Sequence, residues 1–113
     1  MKIDPTAALY VDSINTHDVA TFQRLFADAA VVDDAGRELR GIAAIKDWSD
    51  REIFGVQVTL EVVKVQQQDD QTVLTTKVDG NFDRTGLPNP VIINHDLQID
   101  AGKISKLTCR LAK

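Results

Sequence analysis

Residues 9–40 read LYVDSINTHDVATFQRLFADAAVVDDAGRELR, and this stretch predicts two helices followed by a strand. Just before it, Asp4-Pro5 is typical of a helix start, because Asp caps free backbone N–H groups and Pro lacks the N–H that the first helical position leaves unused. Apolar residues then recur at helical spacing, and Tyr10 shares that spacing, so we expect its side chain to face inward. The residues of this face are Ala7, Tyr10, Val11 and Ile14. Asp18 can cap the second helix. The predicted buried face of that helix consists of Val19, Phe22, Leu25 and Phe26.

The strand that follows ends in two aspartates, and alternation places them on opposite faces. Residues 31–34 read VVDD and run into Ala35-Gly36, which is a turn signal. Because successive side chains of a strand point to opposite faces, Val32 and Asp34 share one face and Asp33 lies on the other. We therefore expect Asp34 to lie on the apolar, cavity-facing side.

The two aspartates are expected to have different roles. On a cavity wall of apolar side chains, Asp34 would lose hydration, which makes a carboxylate a stronger base. The alternative for Asp34 is a structural one, in which it caps the Ala35-Gly36 bend and faces water. We expect Asp33 to be solvated or paired with Arg37 or Arg40.

The rest of the chain predicts one more helix and four more strands. Arg40-Gly41 opens the helix, residues 42–54, whose predicted buried face contains Ile42, Ile45 and Trp48, and Gly55 ends it. The four strand-like segments are residues 56–68, 72–84, 91–100 and 103–111. In the first of them the apolar parity switches at Val62-Val63, which predicts a β-bulge. Helices first and antiparallel strands afterwards indicate an α+β domain with a curved sheet.

This order of residues resembles the nuclear transport factor 2-like superfamily, and within it the ketosteroid isomerases and related small polyketide cyclases. The resemblance covers essentially the whole chain, and its most specific part is FADAAVVDDAG, residues 26–36. It implies a cone-shaped α+β barrel, in which three N-terminal helices pack on the concave face of a strongly curved, mostly antiparallel sheet. It also implies that residues 1–113 form a single nuclear transport factor 2-like domain.

The resemblance further implies roles for three residues. Asp34 occupies the position of the base that abstracts a proton in the isomerases. Tyr10 is similar to the helix tyrosine that donates a hydrogen bond to the developing enolate oxygen. The third isomerase residue, a protonated Asp, falls on His95 or Asn94 here, and the alternation of apolar residues along that strand favours His95 as the inward residue. If the strand parity is shifted, Asn94 and Asp96 take the inward positions instead.

Several large apolar side chains are candidates for the ligand-binding wall. Trp48, Phe54 and Phe82 fit either a pocket wall or a core, and Leu97 shares its predicted strand face with His95. We expect all four apolar residues to line the cavity.

The composition excludes several classes of function. The net charge is −4, with no cluster of Lys and Arg, so we expect no nucleic-acid or membrane partner. No apolar run near the N-terminus is long enough for a signal peptide or a membrane span, which predicts a cytoplasmic location. Cys109 is the single cysteine, so no internal disulfide is expected, and it is interpreted as a packed residue of the last strand. With only His17 to join His95, we expect no metal site.

Two functional hypotheses follow from these observations. The first is a cofactor-independent isomerase or cyclase that uses Asp34 as general base on a small apolar carbonyl-bearing molecule, with Tyr10 and His95 at the ligand oxygen. The alternative is a noncatalytic ligand-binding or dimerisation module of the same fold, since fold does not fix function. In both cases we expect a homodimer.

Overall fold

The computed structural model describes residues 3–112, which form three α-helices, one π-helical turn and one six-stranded sheet. The helices are α1 (Pro5–Asn15), α2 (Val19–Arg24) and α3 (Ile42–Ser49), and the π-helical turn (Asp50–Phe54) extends α3. The strands are β1 (Phe26–Asp34), β2 (Arg37–Arg40), β3 (Thr59–Gln68), β4 (Gln71–Asp79), β5 (Val91–Asp100) and β6 (Lys103–Leu111). Within residues 3–112, every helix is too short or too polar to cross a membrane.

The sheet is mostly antiparallel and curls around the helices without closing. Its strand order is β2-β1-β6-β5-β4-β3, and only the β1–β6 pair is parallel. The register of β3 against β4 shifts between Val62 and Lys64, which confirms the predicted bulge. Such a bulge bends the strand that carries it. The predicted α+β architecture, with helices against a strongly curved sheet, is therefore confirmed.

The helix starts form as the sequence predicts. Asp4 Oδ1 accepts hydrogen bonds from the backbone N–H groups of Thr6 (2.8 Å) and Ala7 (3.4 Å), and Asp18 Oδ1 accepts one from Thr21 (3.2 Å). The second helix is shorter than predicted. Its expected inner residues Leu25 and Phe26 are buried, but they form the C-cap of α2 and the first residue of β1.

The strands differ from the prediction chiefly in two boundaries and in one additional strand. The segment predicted to start at residue 56 begins as β3 at Thr59, because residues 55–58 continue the preceding turn and Val58 N–H donates to the Ile53 carbonyl (2.9 Å). The segment predicted to run to residue 84 ends as β4 at Asp79, since Gly80 adopts φ +151°. The four-residue strand β2 was not predicted, because so short and charged a segment has no apolar alternation.

Candidate ligand pocket

A cavity of about 430 Å³ opens between the helices and the concave side of the sheet. This volume is within the range of about 300 to 1,000 Å³ that is usual for small-molecule pockets. Most of its wall is apolar and comes from α1, the π-helical turn and strands β3 to β5, including Ile14, Ile53, Leu60, Val78 and Val91. Its polar lining residues are Tyr10, Asp34, Glu52, His95 and Arg110. The cavity thus offers an apolar surface with few polar contact points.

The structure brings the three predicted catalytic candidates, Tyr10, Asp34 and His95, to this one cavity. Of the predicted wall residues, Trp48 and Phe82 also line it.

Phe54 and Leu97 lie elsewhere, so their expected place in the wall is corrected. The Phe54 ring packs edge-on against Phe22, with ring centroids 5.4 Å apart. Leu97 is fully buried in the core, one pleat along β5 from His95 and opposite Leu107 of β6. A shared strand face therefore does not guarantee a shared cavity, because the core and the cavity occupy successive pleats of the same face.

His95 is the inward residue of β5, as alternation favours. Its side chain is buried, and its Nδ1 atom lies 2.8 Å from Tyr10 Oη. Its Nε2 atom lies 3.0 Å from Thr76 Oγ1. The neighbours Asn94 and Asp96 contact polar partners on the other face, since Thr75 Oγ1 donates to Asn94 Oδ1 (2.7 Å) and Gln71 Nε2 donates to Asp96. The shifted parity is therefore excluded.

The deep end of the cavity, formed by Tyr10, His95 and Cys109, is electrically neutral at neutral pH. Burial lowers the pKa of His95 to about 4, although the negative charge of Asp34 acts in the opposite direction. Burial also raises the pKa of the Tyr10 phenol and of the Cys109 thiol well above their usual values. All three groups consequently remain uncharged, with the phenol and the thiol protonated.

Asp34 lies at the mouth of the cavity, where it is held by two neighbours. Trp48 Nε1–H and Arg37 Nη2–H both donate to Asp34 Oδ2 at 3.0 Å, and Arg37 also contacts Glu52 Oε1 at 2.7 Å. Within residues 3–112 no hydrogen bond engages Asp34 Oδ1. Among the described residues, Asp34 is thus anchored through Oδ2 alone. Tyr10 directs its hydroxyl to His95 and not to Asp34.

Asp33, and not Asp34, caps the Ala35-Gly36 bend. Capping this bend was the structural alternative for Asp34. Asp33 Oδ1 accepts the Gly36 backbone N–H (2.8 Å), and Asp33 Oδ2 accepts from Arg110 (2.9 Å). The expected pairing of Asp33 with Arg37 or Arg40 is therefore wrong. β6 lies beside β1 in the sheet and brings Arg110 close, a contact between distant parts of the chain that local spacing does not reveal.

Sequence reasoning missed several polar residues of the site, among them Thr76, Cys109 and Glu52. Thr76 interrupts an apolar parity, Leu74-x-Thr76-x-Val78, and that interruption was a usable signal for a buried hydroxyl. Cys109 was expected only to pack, yet its Sγ atom lies 3.7 Å from His95 Nδ1. Glu52 reaches the cavity through the π-helical turn, which had no recognisable sequence signal. Within residues 3–112, no three His, Cys, Asp or Glu side chains are grouped to hold a metal ion.

Comparison with known proteins identifies the family to which this chain is similar. A family model for the SnoaL-like domain matches residues 7–107. A search of proteins with curated descriptions gives no match.

Solved structures share the whole architecture. A polyketide cyclase candidate from Sinorhizobium meliloti has a TM-score of 0.85 and 24% identity, with 96% of this chain and 95% of that chain covered. A ketosteroid isomerase candidate from Kribbella flavida has a TM-score of 0.79 and 14% identity, covering 96% and 76%. A Mycobacterium tuberculosis protein, solved with estradiol-17β-hemisuccinate, has a TM-score of 0.78 and 18% identity, covering 92% and 88%. At these identities the similarity establishes the fold alone.

Proposed function

Because the chain belongs to the SnoaL-like domain family, we propose that its cavity binds a small apolar carbonyl-bearing molecule and that Asp34 removes a proton next to the carbonyl. The observation that carries this proposal is the position of Asp34, whose carboxylate borders an otherwise apolar cavity with one oxygen anchored and the other without a protein partner among the described residues. The Mycobacterium tuberculosis relative, solved with a steroid ester, supports an apolar ligand for such a cavity.

In the proposed reaction, the carbon–hydrogen bond next to the ligand carbonyl breaks and its proton moves to Asp34. The electron pair forms an enolate, and return of the proton to the same or another carbon completes exchange or isomerisation. Trp48 and Arg37 both donate to Asp34 Oδ2 and so hold the carboxylate in one orientation. The Tyr10–His95 pair provides a hydrogen-bonding contact for a ligand oxygen. The scheme needs no cofactor.

A second candidate is a noncatalytic binding module, and one specific observation favours it. Tyr10 and His95 hydrogen-bond to each other, and neither presents a charged group to the cavity. An enzyme that stabilises an enolate relies on donors aimed at the developing charge, and losing one such donor costs about 3 kcal/mol. The two candidates therefore predict the same ligand class but different chemistry.

Solvent deuterium incorporation into a panel of ketones and enones distinguishes these candidates. We expect incorporation with the wild type and a loss of about 100-fold or more in Asp34→Asn, because a positioned base contributes 10² to 10⁴ in rate. Asp33→Asn is the matched control, since Asp33 is the adjacent carboxylate and caps the bend. Equal incorporation by wild type and Asp34→Asn would rule out the assigned base. Saturable binding without incorporation would establish the noncatalytic candidate.

A homodimer in the cytoplasm is a further part of the proposal. Val63, at the β3 bulge, is half exposed, which supports an apolar contact outside the cavity. Light scattering coupled to size-exclusion chromatography measures the mass in solution. A mass equal to that of one chain at micromolar concentration would contradict the dimer.

A further inference from the structure

Three buried polar side chains from different elements form a continuous hydrogen-bonded chain into the cavity. Thr76 of β4 contacts His95 of β5, and His95 contacts Tyr10 of α1. Each of the three residues is less than a tenth exposed. Because buried polar groups keep their hydrogen bonds, the partners of each group determine where its proton lies.

The direction of the chain is set at its first member, Thr76. Its hydroxyl lies 3.2 Å from the Ile93 carbonyl oxygen, which can only accept, so the single Thr76 proton is used there. The Thr76 oxygen is then left to accept a hydrogen bond from His95. The His95 ring consequently carries its proton on Nε2, 3.0 Å away.

The rest of the chain follows from that tautomer. A neutral imidazole has one N–H, so His95 Nδ1 is a bare acceptor, and the pKa of about 4 keeps the ring neutral. Tyr10 Oη, 2.8 Å from Nδ1, must therefore donate its proton to the ring. The Tyr10 hydroxyl therefore offers only its lone pairs to a ligand in the cavity.

We propose that Tyr10 acts on the ligand as a hydrogen-bond acceptor, that the cavity prefers a ligand bearing a phenolic or enolic hydroxyl, and that Thr76 determines this preference by fixing the His95 tautomer. The inference rests on the proposed function, because it specifies the ligand of the same cavity. Asp34 at the mouth carries no hydrogen-bond donor either, so neither contact point of the proposed function donates a hydrogen bond to the ligand. The substrate class is thus a hydroxylated carbonyl compound.

A matched ligand pair tests the polarity of Tyr10 by equilibrium binding. The probes are 6-hydroxy-2-acetonaphthone and its 6-methoxy analogue, which share rings and carbonyl and differ in the donor. We expect the hydroxyl probe to bind about 10-fold more tightly to the wild type, as one hydrogen bond worth about 1.4 kcal/mol predicts. In Tyr10→Phe, which keeps the ring, that preference should disappear. Equal binding of both probes to the wild type, or a preference that survives in Tyr10→Phe, overturns the proposal.

The role of Thr76 is tested by the ¹⁵N chemical shifts of the His95 ring, with His17→Gln used to assign the second histidine. We expect the Nε2–H tautomer in the wild type and in Thr76→Ser, which keeps the hydroxyl. In Thr76→Val the Nδ1–H form should appear and the preference for the hydroxyl probe should fall. A wild-type ring protonated on Nδ1, or an unchanged tautomer and preference in Thr76→Val, overturns the assignment. These readouts require no turnover, so they fail or succeed independently of Asp34 as a base.

Discussion

The deep end and the mouth of the cavity are held together by different interactions. At the deep end, Tyr10 and His95 are almost fully buried and neutral, and they satisfy each other by hydrogen bonds. At the mouth, the Asp34 side chain is 29% exposed and the Arg37 side chain 51% exposed, and they are joined by an ion pair. Ion pairs in contact with water contribute little to stability, whereas an unsatisfied buried group costs much more. The deep end therefore supports the fold, and the mouth is where charge is available for chemistry.

The largest expected effect at the deep end is a loss of stability in acid that depends on His95. Its pKa is about 4 in the folded protein and about 6.5 in the unfolded chain, so the unfolded state binds the proton more tightly. The contribution of the neutral His95 ring to the unfolding free energy is fully present above pH 6.5. It is lost as the pH falls from 6.5 toward 4. This amounts to about 3 kcal/mol, which His95→Gln should remove from the pH dependence of the unfolding free energy.

Denaturant unfolding between pH 7 and pH 4 measures this effect. The carboxylates contribute their own acid sensitivity, so the informative quantity is the difference in slope between wild type and variant. His17→Gln is the control, because His17 is exposed and should leave the slope unchanged. Parallel curves for wild type and His95→Gln would show that His95 titrates normally.

The next largest effect concerns the phenol of Tyr10. Tyr10→Phe removes the donor to His95 Nδ1 and leaves Cys109 Sγ, 3.7 Å away, as the remaining protein contact of that nitrogen. We expect a loss of about 2 kcal/mol in unfolding free energy, the usual cost of an unsatisfied buried polar group. Thr75→Val is the control for removing a hydroxyl on the opposite face of the sheet, and it should cost less. A Tyr10→Phe variant as stable as the wild type would mean that the deep end is hydrated.

At the deep end, the sequence predicted which way Tyr10 and His95 face, although it missed the contacts of Thr76 and Cys109 with His95. Helical spacing placed Tyr10 inward and strand alternation placed His95 inward, because both periodicities are set by local backbone geometry. The fold class followed from the same local patterns. Alternation did not, however, separate cavity from core, and Leu97 is buried one pleat away from the pocket.

The mouth was predicted less well, because its contacts come from elements with weak sequence signals. Arg37 reaches Asp34 from the short charged strand β2, and Glu52 reaches Arg37 from the π-helical turn. Arg110 reaches Asp33 because β6 lies beside β1, a parallel pairing between distant parts of the chain. Parity identified Asp34, but its contact with Trp48 depends on tertiary proximity, which spacing along the chain does not encode.

A smaller effect is expected at the mouth when Asp34 loses its charge. Asp34→Asn gives up a solvent-exposed ion pair worth about 0 to 1 kcal/mol, and the Asn oxygen can still accept from Trp48 Nε1–H. We therefore expect the unfolding free energy to change by no more than about 1 kcal/mol in either direction. Thermal unfolding followed by Trp48 fluorescence measures it, with Asp33→Asn as the neighbouring comparison. Destabilisation by several kcal/mol would make Asp34 a structural residue like those of the deep end.

The smallest effect is expected for the ion pair between Arg37 and Glu52. Both side chains are more than a third exposed, so solvent screens their 2.7 Å contact and a double-mutant cycle of Arg37→Gln with Glu52→Gln should give a coupling of only about 0.5 kcal/mol. At 1 M salt the screening length falls to about 3 Å, and the coupling should vanish. The control is the exposed pair of Lys46 on α3 and Asp50 on the π-helical turn, and it should respond in the same way. A coupling above about 1 kcal/mol that persists in high salt would mean that the mouth is shielded from water, and the contrast between the two ends of the cavity would then fail.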